Sequence, residues 1–185
     1  AAKAATLRIG NTTAASNAVI GGLSNGSFAG SSILGGNATV STLTIGSTSG
    51  SHTFSGALGG VGANENNFNL VKAGAGTQIL NGAATYSGTT LVTEGTLQLG
   101  AASTFAPTGT LSVIANAGAT AIMDFNGKSF TTVGDLTLGG GTNGIAQVVG
   151  TGSTLTLGGN IVYDATNDPG AAVISTNLGS GDANR

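Results

Sequence analysis

The chain has 185 residues, five Lys or Arg, seven Asp or Glu, a net charge of −2 and no Cys. Five scattered cations cannot form the basic patch that neutralises phosphates, nor a basic helix on a membrane surface, which excludes nucleic-acid binding and peripheral membrane docking of that kind. No apolar run nears the ~18 residues of a membrane span, and without Cys there are no disulfides, thiolate metal sites or thiol catalysis.

Glycine is abundant, at 34 residues, so disorder has to be weighed. Leu, Ile, Val and Phe make up 43 of the 185 residues, above the ~20 % at which disorder is expected. The net charge is low, whereas disordered chains usually carry much. Alternation of apolar and small polar residues then points to a folded chain.

In chain order, the N-terminal AAKAATLRIG has no hydrophobic signal core, so either a signal was removed or this is an internal fragment. Ala5–Gly10 is the first alternating strand. A Ser/Asn/Gly-rich passage follows, with buried patches at Ala18–Ile20 and Ser32–Leu34. Val40–Gly46 repeats the opening strand, and His52–Gly56 with Ala57–Leu58 leads into a central block. That block, Phe68–Gly100, holds three alternating segments: Phe68–Lys72, Thr77–Asn81 and Gly95–Gly100. In the last, Thr96 and Gln98 point one way and Leu97 and Leu99 the other. Ala101–Pro107 reads as a corner because Pro cannot donate to a sheet ladder. Thr110–Asn116, Thr120–Gly127, Phe130–Val133, Gly134–Gly139, Ile145–Val149, Thr154–Gly158, Ile161–Tyr163 and Ala172–Ser175 continue the pattern. Gly or Asn stands at nearly every boundary, where positive φ is tolerated. No segment carries a 3.6-residue apolar period, so helices should be nearly absent.

The central block resembles the autotransporter passenger-associated repeat. The matching residues are Leu70, Lys72, Gly74, Gly76, Thr77, Leu80, Gly82, Tyr86, Gly88, Thr90, Val92, Gly95, Thr96, Leu97 and Leu99. Two positions depart from the family pattern: Ala84 stands where an Asn is usual and Thr89 where a second Gly is usual. The resemblance implies the passenger region of an exported bacterial surface protein, its repeats forming a β-helical stalk that displays or constitutes an adhesive surface. It would lie outside the cell, at the outer membrane, with a translocating barrel beyond Arg185.

Segments too short to fold alone, each with one face to bury, repeat along the chain, as in a solenoid. A Thr-Leu-x-Leu/Ile-Gly phrase starts at Thr6, Thr42, Thr96 and Thr154, with a variant at Asp135. The spacings fit multiples of a coil of about 18 to 20 residues, so the expected fold is an all-β, right-handed parallel β-helix over residues 1–185. About eight or nine coils, ~4.8 Å apart, would make a rod ~40 Å long. An antiparallel sandwich would want Asn-Gly hairpins between matched strands; the pairs at Asn25, Asn81, Asn126 and Asn143 are few enough to be solenoid corners. Neither end shows a polar cap, which suggests a fragment of a longer fibre or a subunit that joins end to end.

Motifs with chemistry are sparse. Gly22-Leu23-Ser24-Asn25-Gly26 has the form of a nucleophile elbow, but no helix follows Ser24 and the one His, His52, precedes any later acid. Gly127-Lys128-Ser129 lacks the upstream Gly of a phosphate loop. Asp164 and Asp168 flank a polar loop whose oxygens could hold Ca²⁺, against the plainer reading of an Asp-Pro-Gly turn. A polysaccharide lyase or hydrolase would need convergent ionisable groups, and Lys72, Glu94, Asp124, Lys128 and Asp135 are too few to assign roles. Lys72 belongs to the repeat and is expected to be structural. The Thr42/Thr44 and Thr154/Thr156 pairs form no continuous array, since Arg8, Gln98 and Asp135 interrupt it. The expectation is therefore a non-enzymatic stalk or fibre segment with no cofactor, no metal and no catalytic residue. Its partners would be copies of itself, other surface or matrix components, or glycans.

Overall fold

Alternating residues give short strands, and Gly and Asn give the corners between them. The computed structural model describes residues 4–25, 30–131, 134–167 and 169–180, and in it these strands coil into a parallel β-solenoid. The chain enters with β1 (Thr6–Ile9) and β2 (Asn17–Ile20). Three further coils are β3 (Ser32–Gly35), β4 (Ser41–Ile45), β5 (Ser51–Phe54); β6 (Ala57–Leu58), β7 (Phe68–Lys72), β8 (Thr77–Leu80); and β9 (Ala83–Ala84), β10 (Thr90–Val92), β11 (Gly95–Leu99). Then come β12 (Thr104–Phe105), β13 (Leu111–Ala115), β14 (Thr120–Asp124), β15 (Phe130–Thr131) and β16 (Leu136–Gly140). The long β17 (Ile145–Leu157), β18 (Ile161–Asp164) and β19 (Ala171–Ser180) complete the described fold.

Successive coils stack strand on strand along three faces. The first face runs β1-β3-β6-β9-β12, the second β2-β4-β7-β10-β13-β16-β18, and the third β5-β8-β11-β14-β17, with β15 and β19 also paired to β17. The ladders are parallel. Among the described residues there is no helix, and so none long and apolar enough to cross a membrane. The all-β solenoid expected from the alternation is the fold observed.

The coil is longer than the sequence pattern suggested. On the second face Leu43 stacks on Leu70, then Thr90, Leu111, Leu136 and Ile161, at steps of 27, 20, 21, 25 and 25 residues. Only the central repeat approaches the expected 18 to 20. The second face has seven strands, so there are about seven coils rather than eight or nine. Six steps of ~4.8 Å give a stack of ~29 Å instead of ~40 Å. The Thr-Leu-x-Leu phrase misled because it encodes a strand and its corner, not a place in the coil. Thr6 lies on the first face and Thr42 on the second, while Thr96 and Thr154 share the third out of register, pairing with Ile122 and Asn177.

Other differences are local. Ala83–Ala84 and Thr104–Phe105 are short strands where corners were expected, because each need bury only one side chain, Ala84 or Phe105. Ile145–Val149 and Thr154–Leu157 are one strand interrupted by a register shift. Val133 lies outside the described residues.

Leu, Ile, Val and Phe fill the interior in columns, with Leu97, Met123 and Val148 on the third face fully buried. An aromatic ladder climbs the axis. Phe68 stacks on Tyr86 at 5.2 Å between ring centroids, Tyr86 meets Phe105 at 6.4 Å, and Phe105 meets Phe130 at 4.9 Å. Such contacts add ~0.5–1.5 kcal/mol each beyond burial. Corners pack backbone against backbone. At Gly95 φ is +66°, and a Cβ there would lie 2.4 Å from the Gly76 carbonyl oxygen and 2.5 Å from that of Gly74. Only glycine fits.

Candidate functional site

Lys72 ends β7 in phase with Leu70, and the alternation that buries Leu70 buries Lys72 completely. In its column it lies between Ile45 and Val92. Its ammonium turns to the corner that follows and donates to the carbonyl oxygens of Ala73 at 2.9 Å, Gly74 at 2.5 Å and Glu94 at 3.1 Å. Burial pulls its pKa down to about 8, with the Glu94 charge opposing the shift. At neutral pH it therefore keeps three N–H donors for three acceptors, one of them on the next coil. This is a staple between coils, and its donors all face main-chain carbonyls.

The other ionisable candidates are scattered rather than convergent. Asp124, on the outer side of β14, accepts from the Gln98 amide at 2.7 Å and from the Asn126 backbone N–H at 2.8 Å. Lys128 donates to the Ala101 carbonyl. Asp135 accepts from Asn160, backbone and side chain, at 2.7 and 3.3 Å, locking a corner. Glu94 contributes its backbone carbonyl to Lys72. Lys72 points inward while Asp124 and Lys128 bond to other outer groups, so the structure does not bring these three to one groove.

Ser24 is exposed in the stretch that follows β2, and among the described residues no helix comes after it. Gly22 packs against the His52 ring, where a Cβ would lie 2.6 Å away. Asp164 is committed to its own turn, accepting from the Thr166 hydroxyl and, at 3.0 Å, from the Thr166 backbone. These bonds hold its carboxyl below the usual carboxylate range. Asp168 lies outside the described residues. Among the described residues no three His, Cys, Asp or Glu side chains gather into a metal site. The Thr42/Thr44 and Thr154/Thr156 pairs fall on different faces.

Three features escaped sequence reasoning. Gln78 points inward in the column of Leu97, fully buried, and pairs with the backbone of Leu23 through Oε1 at 3.0 Å and Nε2 at 2.9 Å. The second is the excursion 59–67, latched to distant coils. Asn66 accepts from the Gly60 amide at 2.9 Å and the Thr85 hydroxyl at 3.0 Å, and Glu65 meets Arg8 at 3.2 Å. The Gly62 amide and then Arg8 hold the Glu65 carboxyl below its ordinary range, and Val61 stands fully exposed at the tip. The alternation around Gln78 was the available signal: it is in phase with Leu80, not with Ile79.

The third feature is a polar cleft of about 370 Å³ on the third face, lined by Asp124, Asn126, Gly127, Val149, Gly150, Thr151 and Ser175. Near the last strands, Leu138, Ile161, Tyr163, Ala171, Ala172 and Ile174 line an open apolar depression.

No curated protein and no solved structure matches this chain. Residues 70–99 do match a family model, the passenger-associated-transport-repeat, in agreement with the autotransporter passenger repeat that the central block resembles.

Proposed function

We propose that this chain is a structural, non-enzymatic segment of the stalk of an exported bacterial surface protein, extending the molecule and presenting its faces to other surfaces or to copies of itself. The observation that carries the reading is the passenger repeat at residues 70–99 sitting in the middle of a parallel solenoid of about seven coils. Such a body resists bending because each coil is bonded to its neighbours along three ladders. Outer faces rich in Thr, Ser and Asn and poor in charge suit close approach of a second surface, since few charges need to be desolvated.

The test combines electron microscopy with sedimentation of the purified chain over rising concentration, and incubation with acidic and neutral polysaccharides. Short rods that associate with concentration and release no product are expected. Globules, or rods that release sugar fragments, would overturn the reading. Retention of a glycan without cleavage is a second reading, favoured by the polar cleft over Asp124.

A further inference from the structure

We infer that the cleft over Asp124 is a saccharide subsite that takes an uncharged sugar ring through two neighbouring hydroxyls. This deepens the glycan reading and rests on the faces of the stalk being displayed.

The cleft is made by two departures from the regular coil. β17 leaves its ladder between Val149 and Thr154, and one coil below, β14 ends in a turn whose Asn126 and Gly127 both have positive φ, +47° and +79°. The two irregularities leave a depression of about 370 Å³, within the ~300–1,000 Å³ of small-ligand clefts.

The chemistry of the lining selects the ligand. The Asp124 carboxylate is held at both oxygens, one accepting from Gln98 at 2.7 Å and the other from the Asn126 N–H at 2.8 Å. A carboxylate oxygen has two acceptor sites, so each oxygen keeps one for an O–H donor of the ligand. Thr151 and Ser175 add hydroxyls that donate or accept, and Val149 is an apolar wall for C–H groups.

Other ligand classes fit poorly. No Lys or Arg lines the cleft, and Lys128 is held by the Ala101 carbonyl, so a phosphate or uronate would face a bare carboxylate. A divalent cation would find one carboxylate where several hard oxygen ligands are needed. An apolar ligand would strip water from Asp124 without replacing its hydrogen bonds. A neutral polyol can donate to the carboxylate and exchange hydrogen bonds with the Thr151 and Ser175 hydroxyls. No aromatic ring lines the cleft, so single-site affinity should lie in the millimolar range, and tighter capture would come from many sites along a surface.

The test is a titration of the ¹⁵N-labelled chain with methyl α-mannopyranoside and with its epimer methyl α-glucopyranoside, following amide shifts. At least one hexoside should move Asn126, Gly127 and Thr151 with a saturable curve. Asp124→Asn should weaken that at least tenfold, and Thr151→Ala, at an exposed position, several-fold with the rest of the spectrum unchanged. Silence of these amides with both sugars, or wild-type binding by Asp124→Asn, would overturn the subsite. So would a larger response to methyl glucuronide or to CaCl₂ alone. Rods by microscopy with silent amides would remove the subsite and leave the stalk.

Discussion

Replacing Lys72 by Met isolates the inter-coil staple. Methionine keeps a straight aliphatic stem between Ile45 and Val92, so packing is largely preserved, while the carbonyls of Ala73, Gly74 and Glu94 lose their donor. Each buried carbonyl left unpaired costs ~1–3 kcal/mol. These sit at a corner and are only partly buried, so the lower end applies, about 3 kcal/mol for three. Part is recovered because an ammonium no longer has to be desolvated, the cause of its lowered pKa. The net loss should be about 2 kcal/mol, which for a chain of this size lowers the Tm by roughly 4–8 °C. Thermal and urea unfolding followed by circular dichroism measure it. pH supplies a second arm. The folded-state pKa is about 8 against an unfolded value of ~10.4. Between those values the unfolded chain binds the extra proton, so stability rises with pH across that window and is flat below it. Lys72→Met should abolish that rise. A variant as stable as the parent would refute the staple, and one that keeps the rise would assign the pH dependence to another group.

Three further outcomes follow from the interior. Gly95 and Gly118 share a left-handed φ, +66° and +68°, but only Gly95 is crowded by carbonyls. Gly118→Ala should therefore cost ~1–2 kcal/mol of backbone strain alone, and Gly95→Ala distinctly more by urea midpoint; equal costs would discount the backbone packing. Gln78→Leu fits the apolar column yet orphans the N–H and C=O of Leu23. About 2 kcal/mol is expected, with hydrogen exchange accelerated at Leu23, and unchanged exchange there would count against the clasp. Burial raises the Tyr86 phenol far above its ordinary pKa, so it stays protonated, and its hydroxyl meets that of Thr90 at 2.6 Å. Tyr86→Phe should cost ~1–2 kcal/mol and the double variant with Thr90→Val less than the sum of the singles; strict additivity in unfolding experiments would deny the coupling.

The strands were legible because burial of one face imposes a period of two, and that period survives even where composition is almost uniform. Leu97 and Leu99 went inside and Thr96 and Gln98 stayed out, as their alternation requires. The coil length was not legible, because a Thr-Leu-x-Leu phrase satisfies any of the three faces equally and so carries no phase. Polarity alone does not reveal that Lys72 and Gln78 are buried. Phase puts them inside, since each follows an inward Leu or precedes one by two residues, at Leu70 and Leu80. A long polar side chain in an inward column is tolerated when it reaches the carbonyls of a neighbouring corner, and Gly-rich corners supply many of those. The same logic explains why the cleft over Asp124 was invisible. Asp124 reads as one outward acid on a strand, and what makes it a site is the register shift at Val149–Thr154 one coil above, which no residue of β14 encodes. In a solenoid the inward phase of each strand is local in sequence, but a surface site is written across coils about 25 residues apart. Function in such a chain is therefore to be sought where successive coils stop matching.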